Sequence, residues 1–127
     1  MGKTKELYAQ TFQQDFSDYY NIIQYNMINY DLMDHMLDDI KSACRLTNDE
    51  FFLKTKESHI SEARYIFYAL CRNNGVGPTD ISRYMKSKDH SVTHGTVIYG
   101  QKKAFGWAKK DSAISKLLTQ HEYSENK

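Results

Sequence analysis

A chain of 127 residues, 40% hydrophobic and 26% charged, is one domain's worth: enough to bury a core, too short for a second full domain beside it. A single proline in the chain argues against a loop-rich or all-β protein and favours helices. Net charge is only +1, but residues 1–59 hold six Lys/Arg against ten Asp/Glu and residues 60–127 hold eleven against six, so the second half is the one suited to a polyanion.

From about Lys5 to Cys44 the chain has neither proline nor glycine. Phe12, Phe16, Tyr19, Ile23, Asn26, Tyr30, Met33, Leu37, Ile40 and Cys44 recur in alternating steps of four and three, a heptad stripe. Tyr20, Ile22, Tyr25, Ile28, Leu32 and Met36 widen it beyond a two-helix seam, and the flanking charges of a coiled coil are missing. This predicts a long helix, or two broken near Asn29–Asp31, whose broad face packs within the chain or pairs two copies. Residues 1–30 are accordingly read as an N-terminal helical extension for packing or dimerisation, residues 31–120 as the domain proper, and residues 121–127 as a frayed tail.

Thr47 and Glu50 form a T-x-x-E capping box that starts the short helix DEFFLKT. The polar linker KTKESH follows. Ser61 is then expected to cap the helix EARYIFYALCRN, with Ile60 stapled to Tyr65 and with Ala63, Ile66, Phe67, Leu70 and Cys71 buried. Asn73-Asn74-Gly75 stops that helix. Gly77-Pro78 restarts the chain, Thr79 is expected to cap the helix DISRYM, and Ile81 and Met85 face the core. After the polar turn KSKDHSV, Thr93 caps a helix reaching about Phe105, with Val97, Ile98 and Phe105 inward and Gly106 as its end. A last helix runs from about Asp111 to Gln120 on Ile114, Leu117 and Leu118.

Two short helices joined by a polar turn and backed by a supporting helix make a helix-turn-helix pattern. The second would be the reader. Its first turn offers Thr93, His94, Gly95 and Thr96 to base edges, and Lys102, Lys103, Lys109 and Lys110 follow where phosphates would lie.

At these residues the chain resembles a known family. ISEARYIFYALCRN is similar to the A-R-Q-x-A-M-x-L-A-K-E helix of the C-terminal DNA-binding domain of the bacterial replication initiator DnaA. DISRYM is similar to its P-E-I-G-x-x-F helix, and HGTVIYGQKKA to its H-T-T-V-L-H-A-x-R-K signature. The resemblance spans about Asp31 to Gln120 and keeps the order of the elements. It implies an all-α, Trp-repressor-like helical bundle that binds double-stranded DNA with the recognition helix in the major groove. It also implies a basic loop at the minor groove, here Lys54 and Lys56 in place of arginines, and phosphate or groove-edge contacts from Lys88, His90 and Ser91. Lysine lacks the planar fork for bidentate contact, so that groove would be read less selectively. The family's Arg-Asp-His falls on Lys88-Asp89-His90 when counted from Ile81 and on Val92-Thr93-His94 when counted back from Val97. The downstream register matches better, at His94, Thr96, Val97 and Lys103.

The expected function is a non-enzymatic, sequence-specific DNA-binding protein without the family's ATPase domain, a replication or transcription accessory of the kind a phage or mobile element carries. The alternative is a protein-interaction module that keeps the fold without DNA reading. No cofactor is expected. Gly2-Lys3-Thr4 mimics the end of a P-loop but has no strand or glycine-rich loop to cradle a phosphate, so no nucleotide is expected either. His90 and His94 lack the carboxylates for a metal, and Cys44 and Cys71 lack zinc or redox spacing. With no apolar run of membrane length and no leader pattern, a cytoplasmic location is expected.

Overall fold

The computed structural model describes residues 30–119. They form six α-helices and no strand: α1 (residues 30–44), α2 (Asn48–Phe52), α3 (Ser58–Asn73), α4 (Pro78–Ser87), α5 (His94–Ala108) and α6 (Ser112–Thr119). None of them is long and apolar enough to cross a membrane. Most of the proposed N-terminal extension, with its dimer surface, and the frayed tail lie outside the described residues. The compact unit starts at Met33, and residues 30–32 belong to the unit before it.

α3 is the axis of this unit, and its sequence explains why. A surface helix carries one apolar stripe, but every residue from Ile66 to Cys71 is buried, so the middle of α3 is covered all round. α5 packs along it most extensively, and α6, α2 and α4 also lie against it. α1 contributes Met33, Met36, Leu37 and Ile40, a helical stripe that is at most 3% exposed. The stripe is wider than a two-helix seam, as Met36 implied. Phe51, Phe67 and Tyr84 meet within the core, Phe51 edge-on to Phe67 with centroids 5.6 Å apart.

Helix ends follow from local chemistry. The capping box forms, with Thr47 N–H donating to Glu50 Oε1 at 2.8 Å and Glu50 N–H to Thr47 Oγ1 at 3.1 Å. α1, α3 and α4 all finish in Schellman turns, in which a left-handed residue lets two amides reach back to the last carbonyls. Gly75 takes that position after α3 with φ +84°, whereas Arg45 (φ 57°) and Asp89 (φ 64°) take it after α1 and α4 despite their side chains.

Four expectations are corrected. α3 begins at Ser58, with Glu57 as N-cap and no side-chain cap, so Ser61 lies inside the helix and its N–H donates to Glu57 O at 3.0 Å. Gly77, not Thr79, caps α4, because Pro78 fits the first helical position, where its missing N–H costs nothing. α5 passes through Gly106 to Ala108. Its inner face is Val97, Gly100, Gln101 and Ala104, so Ile98 is 36% exposed and Phe105 only half-buried.

Gly100 is the position where α5 needs a glycine. A Cβ there would stand 2.5 Å from Tyr65 Cδ1, so the missing side chain lets the two helices close on one another. Gln101 is the polar residue on this inner face; its Nε2 donates to Tyr68 O at 3.1 Å.

Candidate nucleic-acid interface

The segment after α2 is held from beneath by one side chain. Arg64, on α3, is 7% exposed. Its Nη1 donates to Phe51 O at 2.8 Å and Leu53 O at 3.0 Å, and its Nη2 to Thr55 O at 2.9 Å. One carbonyl from the end of α2 and two from the loop after it thus turn inward onto a guanidinium, while Lys54 and Lys56 stay exposed. Burial pulls the Arg64 pKa below the usual arginine value, but arginine stays protonated in a protein, so the loop rests on a fixed positive charge.

The turn from α4 to α5 closes on the same place. Lys54, Thr55, Lys56, Arg64, His90 and Ser91 line a cleft of about 380 Å³. Among the described residues no carboxylate lines it, so its field is positive. Ser91 is exposed, and Thr93, two residues on, caps α5 by accepting from Thr96 N–H at 3.1 Å. The Thr93 hydroxyl donates in turn to Thr96 Oγ1 at 3.1 Å, which leaves Thr96, itself exposed, with its own proton to give outward. His94 is exposed but tied sideways, its Nε2 2.6 Å from Thr79 Oγ1 at the start of α4. Ser82 Oγ donates to Val92 O at 3.2 Å, a second tie between α4 and the turn.

One predicted contact is corrected, and a second is partly engaged elsewhere. His90 is only 6% exposed. Its Nδ1–H donates to Phe52 O at 2.8 Å, so the ring braces the turn against α2 instead of reaching outward. Burial lowers its pKa, only partly offset by that hydrogen bond, and nearby Arg64 and Lys54 lower it further. Lys88 has its ammonium 3.7 Å from Asp34 Oδ1 and 5.3 Å from the Tyr84 ring centroid, so its charge is already partly matched. Asp34 also accepts from Tyr84 Oη at 2.6 Å.

Lys102 and Lys103 are exposed, but they border a different groove, of about 620 Å³, together with Lys110, Trp107 and Glu62. The predicted residues therefore fall into two groups. Lys54, Lys56 and Ser91 sit beside the start of α5, and Lys102 and Lys103 sit beside its second half.

Sequence reasoning missed Arg64 and the aromatic cluster of Tyr65, Tyr99 and Trp107. Arg64 could have been found, since it falls among Ala63, Ile66 and Phe67 on a stripe that has to be buried, and a buried cation needs acceptors. In the cluster Tyr65 stacks on Trp107 at 6.2 Å and meets Tyr99 edge-on at 5.9 Å. No protein-family model, curated protein or solved structure matches this chain.

Proposed function

We propose that this chain is a non-enzymatic double-stranded DNA-binding protein, a replication or transcription accessory, in which α4, the following turn and α5 act as a helix-turn-helix. The first turn of α5 enters the major groove, where Thr96, and His94 from its fixed position, face base edges. Lys54 and Lys56 approach the neighbouring backbone or minor groove, and Ser91 donates to phosphate. The observation that carries this reading is the cleft. Lys54 and Lys56 share it with Ser91 of the α4–α5 turn, which lies at most about 8 Å from the residue that caps α5, so one duplex can meet the lysines and the helix start together. The similarity of HGTVIYGQKKA to the DnaA signature supports the same orientation.

The test is a set of binding isotherms on a duplex the protein has itself selected. Thr96→Ala should flatten the difference between that duplex and an unrelated one. Lys54→Ala should weaken both about equally and reduce the slope of log affinity against log salt by about 0.9 per lost contact. If both variants bind every duplex like the wild type, the assignment fails.

A further inference from the structure

The proposed DNA placement leaves the second half of α5 unexplained. At 1.5 Å per residue Lys102 and Lys103 lie about 9–10 Å along α5 from Thr96, and Lys110, just past the end of the helix, about 20 Å. Exposed charges act over only about 8 Å in physiological salt. A duplex held at the start of α5 therefore gains little from Lys110, and Lys102 and Lys103 stand at the limit of its reach.

Those lysines border a built groove. Trp107, stacked on Tyr65, and Ile114 of α6 provide apolar surface, and Lys102, Lys103, Lys110 and Glu62 surround it. Gly106 sits among them, exposed, and nothing occupies the space where its Cβ would be. Packing does not require a glycine here, and an exposed helical glycine is less favourable than alanine. What it provides is bare backbone that another chain can approach closely.

We propose that this groove docks an acidic segment of a protein partner, its carboxylates on Lys102, Lys103 and Lys110 and one apolar or aromatic side chain over Trp107 and Ile114. A second duplex fits less well. Glu62 and Asp111 also line the groove, and DNA carries a charge about every 1.7 Å of axis, so it cannot skip them. A peptide can space its charges. The inference rests on the DNA reading only for placing the groove outside the duplex footprint.

Trp107 is the single tryptophan of the chain, so its emission reports on the groove directly. The full chain, without DNA, is titrated with a short synthetic peptide of Glu and Asp around one Phe-Leu pair. A saturable change in emission is expected. Lys110→Glu, on the surface, should weaken it about tenfold, Thr96→Ala should leave it intact, and it should persist when a selected duplex is bound. The proposal is overturned by no saturable change, by an equal response to the same peptide with Lys for its acids, or by displacement of the peptide by duplex. A change that follows protein concentration alone would give the groove to a second copy and overturn it too. Duplex selection is read separately, so loss of the docking site and loss of the DNA reading are distinguishable.

Discussion

Arg64 gives its guanidinium to the carbonyl of Phe51 at the end of α2 and to two carbonyls of the loop that follows, which makes that loop's shape depend on a side chain nine to thirteen positions away. Lysine has no planar fork to meet three acceptors. Arg64→Lys should therefore cost about 2 kcal/mol, seen as a lower urea midpoint, and should weaken duplex binding although Lys54 and Lys56 are untouched. His90 adds a pH dependence. Its folded pKa lies below the ordinary histidine value, so its contribution is complete above the unfolded pKa, about 6.5, and is lost as pH falls through the folded one. His90→Asn keeps a donor for Phe52 O and removes the titration, so the gap in urea midpoint between wild type and variant should shrink on acidification below about pH 6.5. A gap that stays constant with pH would contradict this. At this scale the sequence was readable where partners are near neighbours. Thr47 with Glu50 and Thr93 with Thr96 are three residues apart. The His90 contact to Phe52 spans 38 positions, and no local pattern announces it.

Among the elements, α5 is where sequence and packing pull apart. It holds three glycines in one helix, which by propensity alone reads as a helix about to end, and Gly106 is where the sequence would end it. Tertiary contact explains Gly100, and its replacement separates the two roles. Gly100→Ala would press a methyl into Tyr65 and Tyr68 and should destabilise by about 1–3 kcal/mol. Gly106→Ala meets open space and should stabilise by about 0.5–1 kcal/mol. Thermal unfolding of the two variants checks both signs, and a stabilising Gly100→Ala would mean that α3 and α5 are not so closely packed. The starts of α2 and α5 were legible because a hydroxyl cap marks each. α3 lacks such a mark, since Glu57 makes no side-chain cap, and Ser61 looked like one without serving as one. An apolar residue beside Val97 invites an inward reading of Ile98, but the buried face steps from Val97 to Gly100, Gln101 and Ala104, a glycine and a polar position among them that composition does not mark as core.

For the whole molecule, the all-helical fold was legible from one proline, capped periodic segments and their order. The layout of charge was not. A count gives a basic second half, but folding places Lys54 and Lys56, from the acidic first half, at a cleft by the start of α5 and sets Lys102, Lys103 and Lys110 at a groove by its second half, while Lys88 is partly matched by Asp34. The DNA reading thus depends on few exposed cations, and affinity should be modest and strongly salt-dependent. The most direct test of the central claim is selection from random double-stranded DNA with the purified chain at low and at physiological salt. A defined motif enriched at both salts, with the preference weakened by Thr96→Ala, is the predicted result; failure to retain any duplex even at low salt would contradict it.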